Sequence, residues 1–296
     1  MAQPPPPQES GPLNLLRPLL LLSYSAFYIP HTLYNLVATS NLEPLTNFSS
    51  FKDHWFARFW TWFGPRSREA AAAKVTPLIQ NNARGVLLDI GPGSGQWLFL
   101  FARAMNPSIT KIYGVEPNAG LHAELRANAV KAGLGDVYEV IGCGAEELGT
   151  KGGVQQGSVD TIVTVQCLCS IPGPERVIRD LYPLLKPGGK WLVYEHVRTK
   201  FQQDFVGVWQ RKLLGWFCCC SFFFFLGDWF ADLLFSAAGA VNLVWPHFFN
   251  GCDICRPTDE WLLQAGRWDK VELRAGVGEG KFDTIPHVLG TLTKAE

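Results

Sequence analysis

The stretch Val86-Leu87-Leu88-Asp89-Ile90-Gly91-Pro92-Gly93-Ser94-Gly95 decides how this chain folds. Its first five residues are a mostly apolar run, which predicts a buried strand. Three glycines at alternate positions then predict a sharp turn whose backbone, free of side chains, can approach a ligand. The next predicted strand ends at Glu116, and an acid there can accept hydrogen bonds from both hydroxyls of a ribose. Together these features predict a pocket for a ligand with an adenosine end.

Strands and helices alternate from this motif onward. The predicted strands are Val86–Ile90, Lys111–Glu116, Val137–Ile141, Thr161–Val165 and Lys190–Glu195. The helices predicted between them are Gln96–Met105, Ala119–Ala132, a short one near Ala145–Leu148, and Pro174–Leu185. This rhythm predicts an α/β fold with a doubly wound, mostly parallel sheet. After a helix over Asp259–Ala265, a Gly-rich loop joins strands Lys270–Ala275 and His287–Thr293, which predicts an antiparallel hairpin and a total of about seven strands.

The N-terminal part has a different composition. Residues 1–12 are Pro-rich, which predicts a disordered tail. Residues 13–47 carry no formal charge between Arg17 and Glu43, and this length favours a membrane anchor or an interfacial helix, with a helix packed on the soluble domain as the alternative. Residues 48–84 form an aromatic and helical lead-in to the α/β domain over residues 85–296. The aromatic part of this lead-in fits a membrane surface, a lid or core packing equally.

Composition excludes some classes of partner. Lys plus Arg and Asp plus Glu are 26 each, so nothing favours a nucleic-acid partner. The eight cysteines include three adjacent ones at Cys218–Cys220, which argues for a reducing compartment over a disulfide framework. Cys252-x-x-Cys255 is a weak zinc signal without a second ligand pair, so we predict no metal.

Further candidate ligand contacts follow the third and fourth strands. The small residues Gly142–Ala145 can admit a flat adenine ring, and the segment ending at Cys167 opens at the crevice where such sheets bind ligands. The glycine spacing is G-x-G-x-G, not G-x-G-x-x-G, which favours S-adenosylmethionine over a dinucleotide with a pyrophosphate. The predicted cofactor-binding residues are Asp89, Gly91, Gly93, Gly95, Glu116, Pro117, Asn118, Gly144, Ala145, Glu146, Gln166 and Cys167.

These motifs resemble those of a broad class of enzymes and of one narrower family within that class. Asp89–Gly95, Glu116–Asn118 and Leu185–Gly189 look like the motifs of class I S-adenosylmethionine-dependent methyltransferases, which have a Rossmann-like sheet. Further blocks resemble the methyltransferase-like seven family, namely Cys167–Ser170, Tyr194–Val197, Trp209-Gln210 and Phe249–Asp253. Members of that family are membrane-anchored enzymes of the endoplasmic reticulum and lipid droplets that methylate small thiols.

The resemblance implies a membrane-associated methyltransferase at the endoplasmic reticulum or lipid droplet, with a small apolar acceptor for which a thiol is one candidate. A lipid or quinone methyltransferase, a dinucleotide oxidoreductase and a non-catalytic scaffold are the alternatives. Thiol methylation needs a thiolate as nucleophile. His196, at the end of the fifth predicted strand, is the candidate to orient or deprotonate the acceptor, and Glu195 is a second candidate or its partner.

One segment departs from the family pattern. An apolar stretch near 211–241 separates the Trp-Gln block from the Phe-x-Gly-Cys block, which lie close together in the family. It lacks an amphipathic period and is too short to span a bilayer before Asp228. It is either a lineage-specific insertion or translated intron sequence.

Overall fold

The computed structural model describes residues 11–204, 206–207, 241–276, 279–280 and 282–296. Its strands are β1 (Gly85–Ile90), β2 (Ile109–Val115), β3 (Tyr138–Ile141), β4 (Val159–Val165), β5 (Leu185–His196), β6 (Trp268–Ala275) and β7 (His287–Lys294). They form one sheet with the order β3-β2-β1-β4-β5-β7-β6. Strands β1 to β5 pair in parallel, whereas β7 runs antiparallel to both β5 and β6. The predicted doubly wound sheet with a C-terminal antiparallel hairpin is therefore confirmed.

The helices of the described part are α1 (Arg17–Ala38), α2 (Phe48–Asn82), α3 (Ala119–Lys131), α4 (Leu148–Lys151), α5 (Pro174–Leu181), α6 (Val241–Phe248) and α7 (Thr258–Gln264). The aromatic segment and the following helix are one element, α2. Asn47 caps it, because its side chain accepts hydrogen bonds from the backbone N–H groups of Ser49 and Ser50.

The predicted helix over Gln96–Met105 was wrong. The structure has only a short 3-10 turn at Leu98–Leu100 there. Leu98, Leu100 and Phe101 are all buried, and a helix would not bury three residues at that spacing on one face. Packing against the core has therefore overridden local helix preference.

The sheet buries apolar side chains on both faces. On β1, Leu88 and Ile90 lie in one core cluster and Leu87 in the other, because side chains alternate along a strand. Helices α5 and α7 cover the first face, while α3 and the C-terminal half of α2 cover the second. The carboxyl ends of the parallel strands are left open toward the N-terminal half of α2, which positions the site described below.

A third apolar cluster joins α1, α2 and α6 above this end of the sheet. The indole Nε1 of Trp55 on α2 donates to the carbonyl of Ser25 on α1 over 2.8 Å, and the Ser25 hydroxyl donates to the carbonyl of Phe248 over 2.9 Å. Phe59, fully buried, stacks on Phe63 and meets Phe249 edge to face. One side of α1 is therefore packed on protein.

The opposite side of α1 presents apolar side chains to solvent. Phe27 is 74% exposed, Tyr34 73% and Leu20 56%. Within the described ranges, we find no helix with the length and apolar character needed to cross a bilayer. Of the earlier expectations, the Trp209-Gln210 block, nearly all of the segment near 211–241 and the Pro-rich tail up to residue 10 lie outside the described residues.

Candidate active site

The glycine loop after β1 is shaped by backbone angles that favour glycine. Gly91, Gly93 and Gly95 have φ values of +63°, +60° and +84°. A Cβ atom on Gly91 would lie 2.5 Å from the Cβ of Cys167, and one on Gly93 would lie 2.6 Å from Nε1 of Trp60. The glycines thus let the loop approach other parts of the protein as well as a ligand.

The N–H groups of these three glycines are all paired within the protein. Gly91 N–H donates to the carbonyl of Val115 over 2.9 Å, and Gly95 N–H donates to that of Pro92 over 2.9 Å. Gly93 N–H donates to Glu116 Oε2 over 2.9 Å. A tight turn satisfies its own buried donors, because an unpaired buried N–H is costly.

Glu116 connects the loop to the next strand. It follows β2 directly and is only 6% exposed. Its Oε2 accepts from Gly93 and its Oε1 accepts from the N–H of Asn118 over 2.9 Å. Burial raises the pKa of this carboxyl to about 7, against the lowering effect of the two backbone hydrogen bonds. Each oxygen keeps a second lone pair, so contact with ribose hydroxyls stays a prediction.

A cavity of about 370 Å³ opens between the loop and the ends of β2 and β4; we call it the donor cavity. Such a volume suits a small-molecule ligand. Nine of the predicted cofactor-binding residues line it: Gly91, Gly93, Glu116, Pro117, Gly144, Ala145, Glu146, Gln166 and Cys167. The fold therefore brings together most of the residues that were predicted to form a nucleoside pocket.

Asp89, Gly95 and Asn118 do not line this cavity. Asp89 is buried on β1 and accepts a hydrogen bond from the hydroxyl of Tyr138 over 3.2 Å. Burial raises its pKa to about 7, and the nearby Glu116 adds to that rise. Asn118 caps α3 through Gly120 N–H and donates to the carbonyl of Asp53 on α2 over 3.0 Å. Asp89 and Asn118 thus hold the cavity walls in place.

A second cavity of about 460 Å³ adjoins the first; we call it the acceptor cavity. Its walls include the aromatic side chains of Phe56, Trp60, Phe63, Trp245 and Phe249, and its polar lining includes His196. Both cavities share Phe56, Trp60, Gln166 and Ser170, so the passage between them runs past these side chains.

The two predicted catalytic residues have different surroundings. His196 lines the acceptor cavity, and its Nδ1 lies 3.7 Å from Cys252 Sγ. Burial lowers its pKa, but the neighbouring Cys169 and Glu195 outweigh burial, so the pKa of His196 lies above its ordinary value.

Glu195 lines neither cavity, because consecutive side chains of β5 point to opposite faces. Its carboxylate accepts the N–H groups of Cys167 and Leu168 over 3.1 Å each, and its pKa is raised to about 7 by burial. Glu195 therefore holds the backbone that follows β4, and its predicted part in catalysis stays a prediction.

Several residues of the site were not found from the sequence. Trp60 on α2 lines both cavities. His287 at the start of β7 and Glu279 before it line the acceptor cavity. No spacing signal marks them, since they lie far along the chain from the glycine loop. A positive φ of +56° at Gln166, rare for a residue with a side chain, is the structural sign that its position is functional.

The cavity residues fit a nucleoside-bearing donor. Nε1 of Trp60 is buried and has no hydrogen-bond partner within the described part of the chain, although a buried indole N–H normally has one. It lies against the glycine loop, where the carboxylate or hydroxyl oxygens of a bound ligand can accept from it. The small side chains of Gly144 and Ala145 leave room for a flat ring.

Comparison with known families decides the class. A family model described as a methyltransferase domain matches residues 63–223, more than half of the chain. The chain belongs to this methyltransferase family. It is an S-adenosylmethionine-dependent methyltransferase, which confirms the predicted activity class and cofactor. The alternatives of an oxidoreductase and a non-catalytic scaffold are not supported.

Two curated relatives cover most of the methyltransferase chain. It is 22% identical over 249 residues to thiol S-methyltransferase TMT1A of Homo sapiens, covering 81% of this chain and 86% of the relative. It is 22% identical over 284 residues to thiol S-methyltransferase TMT1B of Rattus norvegicus, covering 95% and 100%.

Solved structures share the fold. An O-methyltransferase family protein from Burkholderia thailandensis superposes with a TM-score of 0.54 at 16% identity, covering 91% of this chain and 72% of that one. The [4+2]-cyclase SpnF superposes with a TM-score of 0.51 at 18% identity, covering 76% and 82%. A cyclase with this architecture shows that the fold alone does not identify the acceptor.

Proposed function

We propose that this methyltransferase transfers the methyl group of S-adenosylmethionine to the thiol of a small apolar acceptor. The observation that carries the proposal is the acceptor cavity: it adjoins the donor cavity at Gln166, has aromatic walls and presents His196 at its polar end. The similarity to the thiol S-methyltransferases TMT1A and TMT1B supports a thiol as the acceptor group.

The protein contributes mainly position and an enclosure with aromatic walls. When bound, S-adenosylmethionine supplies a methyl group already activated on a sulfonium. Transfer forms a bond between the acceptor sulfur and the methyl carbon and breaks the methyl–sulfonium bond, whose electron pair stays on the donor sulfur, while the thiol proton is lost to water. Phe56 and Trp60 flank the passage between the cavities and present their aromatic rings to it. Holding two reactants in line contributes a large part of such a rate enhancement.

His196 is the residue that we assign to the acceptor sulfur. Thiols react as thiolates, so a nearby imidazole can lower the cost of ionising the acceptor. In the described chain its Nδ1 faces the thiols of Cys252 and Cys169, which line the same cavity. A sulfur from an acceptor would enter the same surroundings.

A matched pair of acceptors tests the proposal. The purified enzyme is incubated with S-adenosylmethionine and either an alkyl thiol or the alcohol of the same chain length, and methylated products are identified by mass spectrometry. We expect an S-methyl product from the thiol and none from the alcohol. Methylation of a lipid or quinone hydroxyl without any thiol product would contradict the thiol assignment while leaving methyl transfer intact.

The variant His196→Gln tests the role of the imidazole. We expect it to lower kcat/KM for the alkyl thiol by about 10- to 100-fold, because a hydrogen bond to a charged group such as a thiolate contributes about 1.5–3 kcal/mol. The matched control is His54→Gln, because His54 lies on α2 and lines neither cavity. Equal activities of the two variants would exclude His196 from the reaction.

We further propose that α1 lies in a lipid–water interface and brings the acceptor cavity close to apolar substrates. The exposed side of α1 is apolar over several turns, with Leu20, Phe27 and Tyr34 on it, and a contiguous apolar face on a soluble surface usually marks an interaction site. The inner side of α1 contributes Leu21 to the acceptor cavity, which links the lipid-facing surface to the site. Location at the endoplasmic reticulum or lipid droplet stays a prediction.

Sedimentation with phosphatidylcholine vesicles tests the interfacial helix. The double variant Leu20→Ser with Phe27→Ser should sediment much less than the wild-type enzyme, because burial of these side chains in lipid is lost. The matched control is Val130→Ser with Val271→Ser, two exposed apolar residues away from α1. Undiminished sedimentation of the α1 variant would refute an interfacial role for this face.

A further inference from the structure

We propose that Glu279, His287 and Gln166 form a hydrogen-bond chain that fixes the tautomer of His196, so that Nδ1 presents a proton to the acceptor sulfur. The proposal rests on the proposed function, in which that sulfur binds beside His196. It makes the three residues positioning residues for the reaction and gives His196 the role of a hydrogen-bond donor to a thiolate, not of a base.

The chain of contacts begins at Glu279. Its Oε1 lies 2.8 Å from Nδ1 of His287, its Oε2 accepts the backbone N–H of His287 over 2.6 Å, and Lys74 Nζ lies 3.3 Å from Oε1. Burial raises the pKa of Glu279, but hydrogen bonds from His287 and the charge of Lys74 bring it below its ordinary value. An ionised carboxylate can only accept, so Nδ1 of His287 must carry the proton.

The second step fixes the other nitrogen of His287. Burial lowers the pKa of this histidine to about 4, so the ring is neutral at physiological pH. Its ring stacks on that of Tyr194, with centroids 4.6 Å apart and planes 3° from parallel, which holds its orientation. A neutral imidazole with a proton on Nδ1 has a lone pair on Nε2, and this atom lies 3.2 Å from Nε2 of Gln166.

The third step orients Gln166. Because Nε2 of His287 accepts, the amide of Gln166 must present its NH₂ group to it, and its Oε1 accepts from the Ser67 hydroxyl over 2.9 Å. The NH₂ group has a second hydrogen, and the atom that faces it is Nε2 of His196, at 3.4 Å. His196 therefore uses Nε2 as the acceptor and carries its proton on Nδ1.

The ring nitrogen of His196 that carries the proton decides whether the acceptor cavity holds a metal site or presents an N–H donor. Among the described residues, the ligand atoms of Cys169, His196 and Cys252 all lie within 4.8 Å of one another, a spacing at which three groups can hold a metal ion. A metal would need a lone pair on the ring nitrogen that faces the two sulfurs. That nitrogen is Nδ1, which the hydrogen-bond chain leaves protonated, so the geometry points to an N–H donor instead.

An N–H donor suits a thiolate. A charge-assisted hydrogen bond from Nδ1 stabilises the anionic sulfur and so raises the fraction of acceptor that is ionised at neutral pH. The thiol proton then leaves to water, and His196 returns no proton at the end of the reaction. The benefit is largest for alkyl thiols, which are mostly protonated at pH 7, and small for aromatic thiols, which ionise readily.

Nuclear magnetic resonance of the full-length enzyme with ¹⁵N-labelled histidine rings reads the tautomer without any need for turnover. The His196 signals are assigned by their loss in His196→Gln. Spectra are recorded at alkaline pH, because the pKa of His196 lies above its ordinary value and only the neutral ring has a tautomer. Under these conditions we expect the Nδ1–H form in the wild type and in Glu272→Ala, a matched control on the same hairpin with an acid outside the chain of contacts. Gln166→Glu replaces the donor by an acceptor and should move the proton to Nε2. A wild-type Nε2–H form overturns the proposal, as does one bound zinc per chain that is lost in Cys169→Ser.

Kinetics with two acceptors supply the second readout. Glu279→Ala should lower kcat/KM about 10-fold for an alkyl thiol and less than 3-fold for an aromatic thiol, with Glu272→Ala close to wild type for both. Equal losses on the two acceptors would indicate general structural damage and refute the positioning role. If no thiol is methylated by the wild type while the Nδ1–H form is observed, the proposed function fails and the hydrogen-bond chain stands.

Discussion

Replacement of Gly91 by alanine should weaken donor binding through a defined steric conflict. The new Cβ would lie 2.5 Å from the Cβ of Cys167, whereas carbon atoms in contact prefer about 3.5–4.0 Å. Alanine at a φ of +63° costs about 1–2 kcal/mol, and an overpacked contact costs about 1–3 kcal/mol. Together these give about 2–5 kcal/mol, which is divided between stability of the fold and displacement of the loop.

The displaced loop is one wall of the donor cavity, so part of this free energy appears as a loss of affinity for the ligand that binds there. We expect a loss of about 1.4–2.8 kcal/mol, or about 10- to 100-fold in Kd for S-adenosylhomocysteine measured by isothermal titration calorimetry. Gly133→Ala is the matched control: it has a φ of +71°, but a Cβ there meets nothing within 4 Å and the residue is outside the donor cavity. It should lose stability in chemical denaturation and keep its affinity.

The double variant Gly91→Ala with Cys167→Gly isolates the steric term. Cys167→Gly removes the atom that the new Cβ meets, so the double variant should bind the ligand more tightly than Gly91→Ala alone. If Gly91→Ala binds like the wild type, or if Gly133→Ala loses as much affinity as Gly91→Ala, the argument that this loop wall sets donor affinity is refuted.

Three more predictions concern buried groups. Burial raises the pKa of Asp89 from 3.8 to about 7, so between these pH values the native state binds a proton that the unfolded state has lost. The free energy of unfolding should therefore fall as pH rises through this range. Asp89→Asn should remove about 4 kcal/mol of that fall in denaturation curves, and an unchanged dependence of unfolding free energy on pH would contradict this. Trp60→Phe should raise the melting temperature of the free enzyme, because it removes a buried donor that has no partner among the described residues. It should also weaken the binding of S-adenosylhomocysteine about 5- to 10-fold, and tighter binding would refute this. Phe59→Ala should cost about 3–5 kcal/mol of unfolding free energy, and a loss under 1 kcal/mol would contradict its place at the centre of the aromatic cluster.

The sheet and its hairpin could be predicted because their signals are local. Val86–Ile90 reads as a strand from its own residues, and the alternation that follows sets a parallel order with little dependence on distant contacts. Helix Gln96–Met105 was predicted by the same local reasoning and failed, since burial of Leu98, Leu100 and Phe101 in the core decides the backbone there. Burial that is set by such tertiary packing leaves no hydrophobic periodicity in the sequence from which it could be predicted.

The donor side of the site was predictable and the acceptor side only in part. Glycines and small residues after consecutive strands mark the donor cavity, because strand ends meet at one edge of the sheet. His196 was found because it ends a strand at that edge. Its partners His287 and Glu279 come from the antiparallel hairpin, and only the pairing of β5 with β7 sets His287 opposite His196. Glu195 lines neither cavity, because side chains alternate along β5 and that of His196 enters the acceptor cavity.

The most direct measurement of the central claim is a crystal structure of the full-length enzyme with S-adenosylhomocysteine and an alkyl thiol acceptor. The account predicts the nucleoside in the donor cavity between Gly93 and Glu116, and the acceptor sulfur in the neighbouring cavity within hydrogen-bond distance of Nδ1 of His196. It also predicts that the two sulfur atoms face each other past Gln166 with space for one methyl group between them. A nucleoside bound outside the glycine loop, or a thiol bound where it cannot face the donor sulfur, would contradict the account.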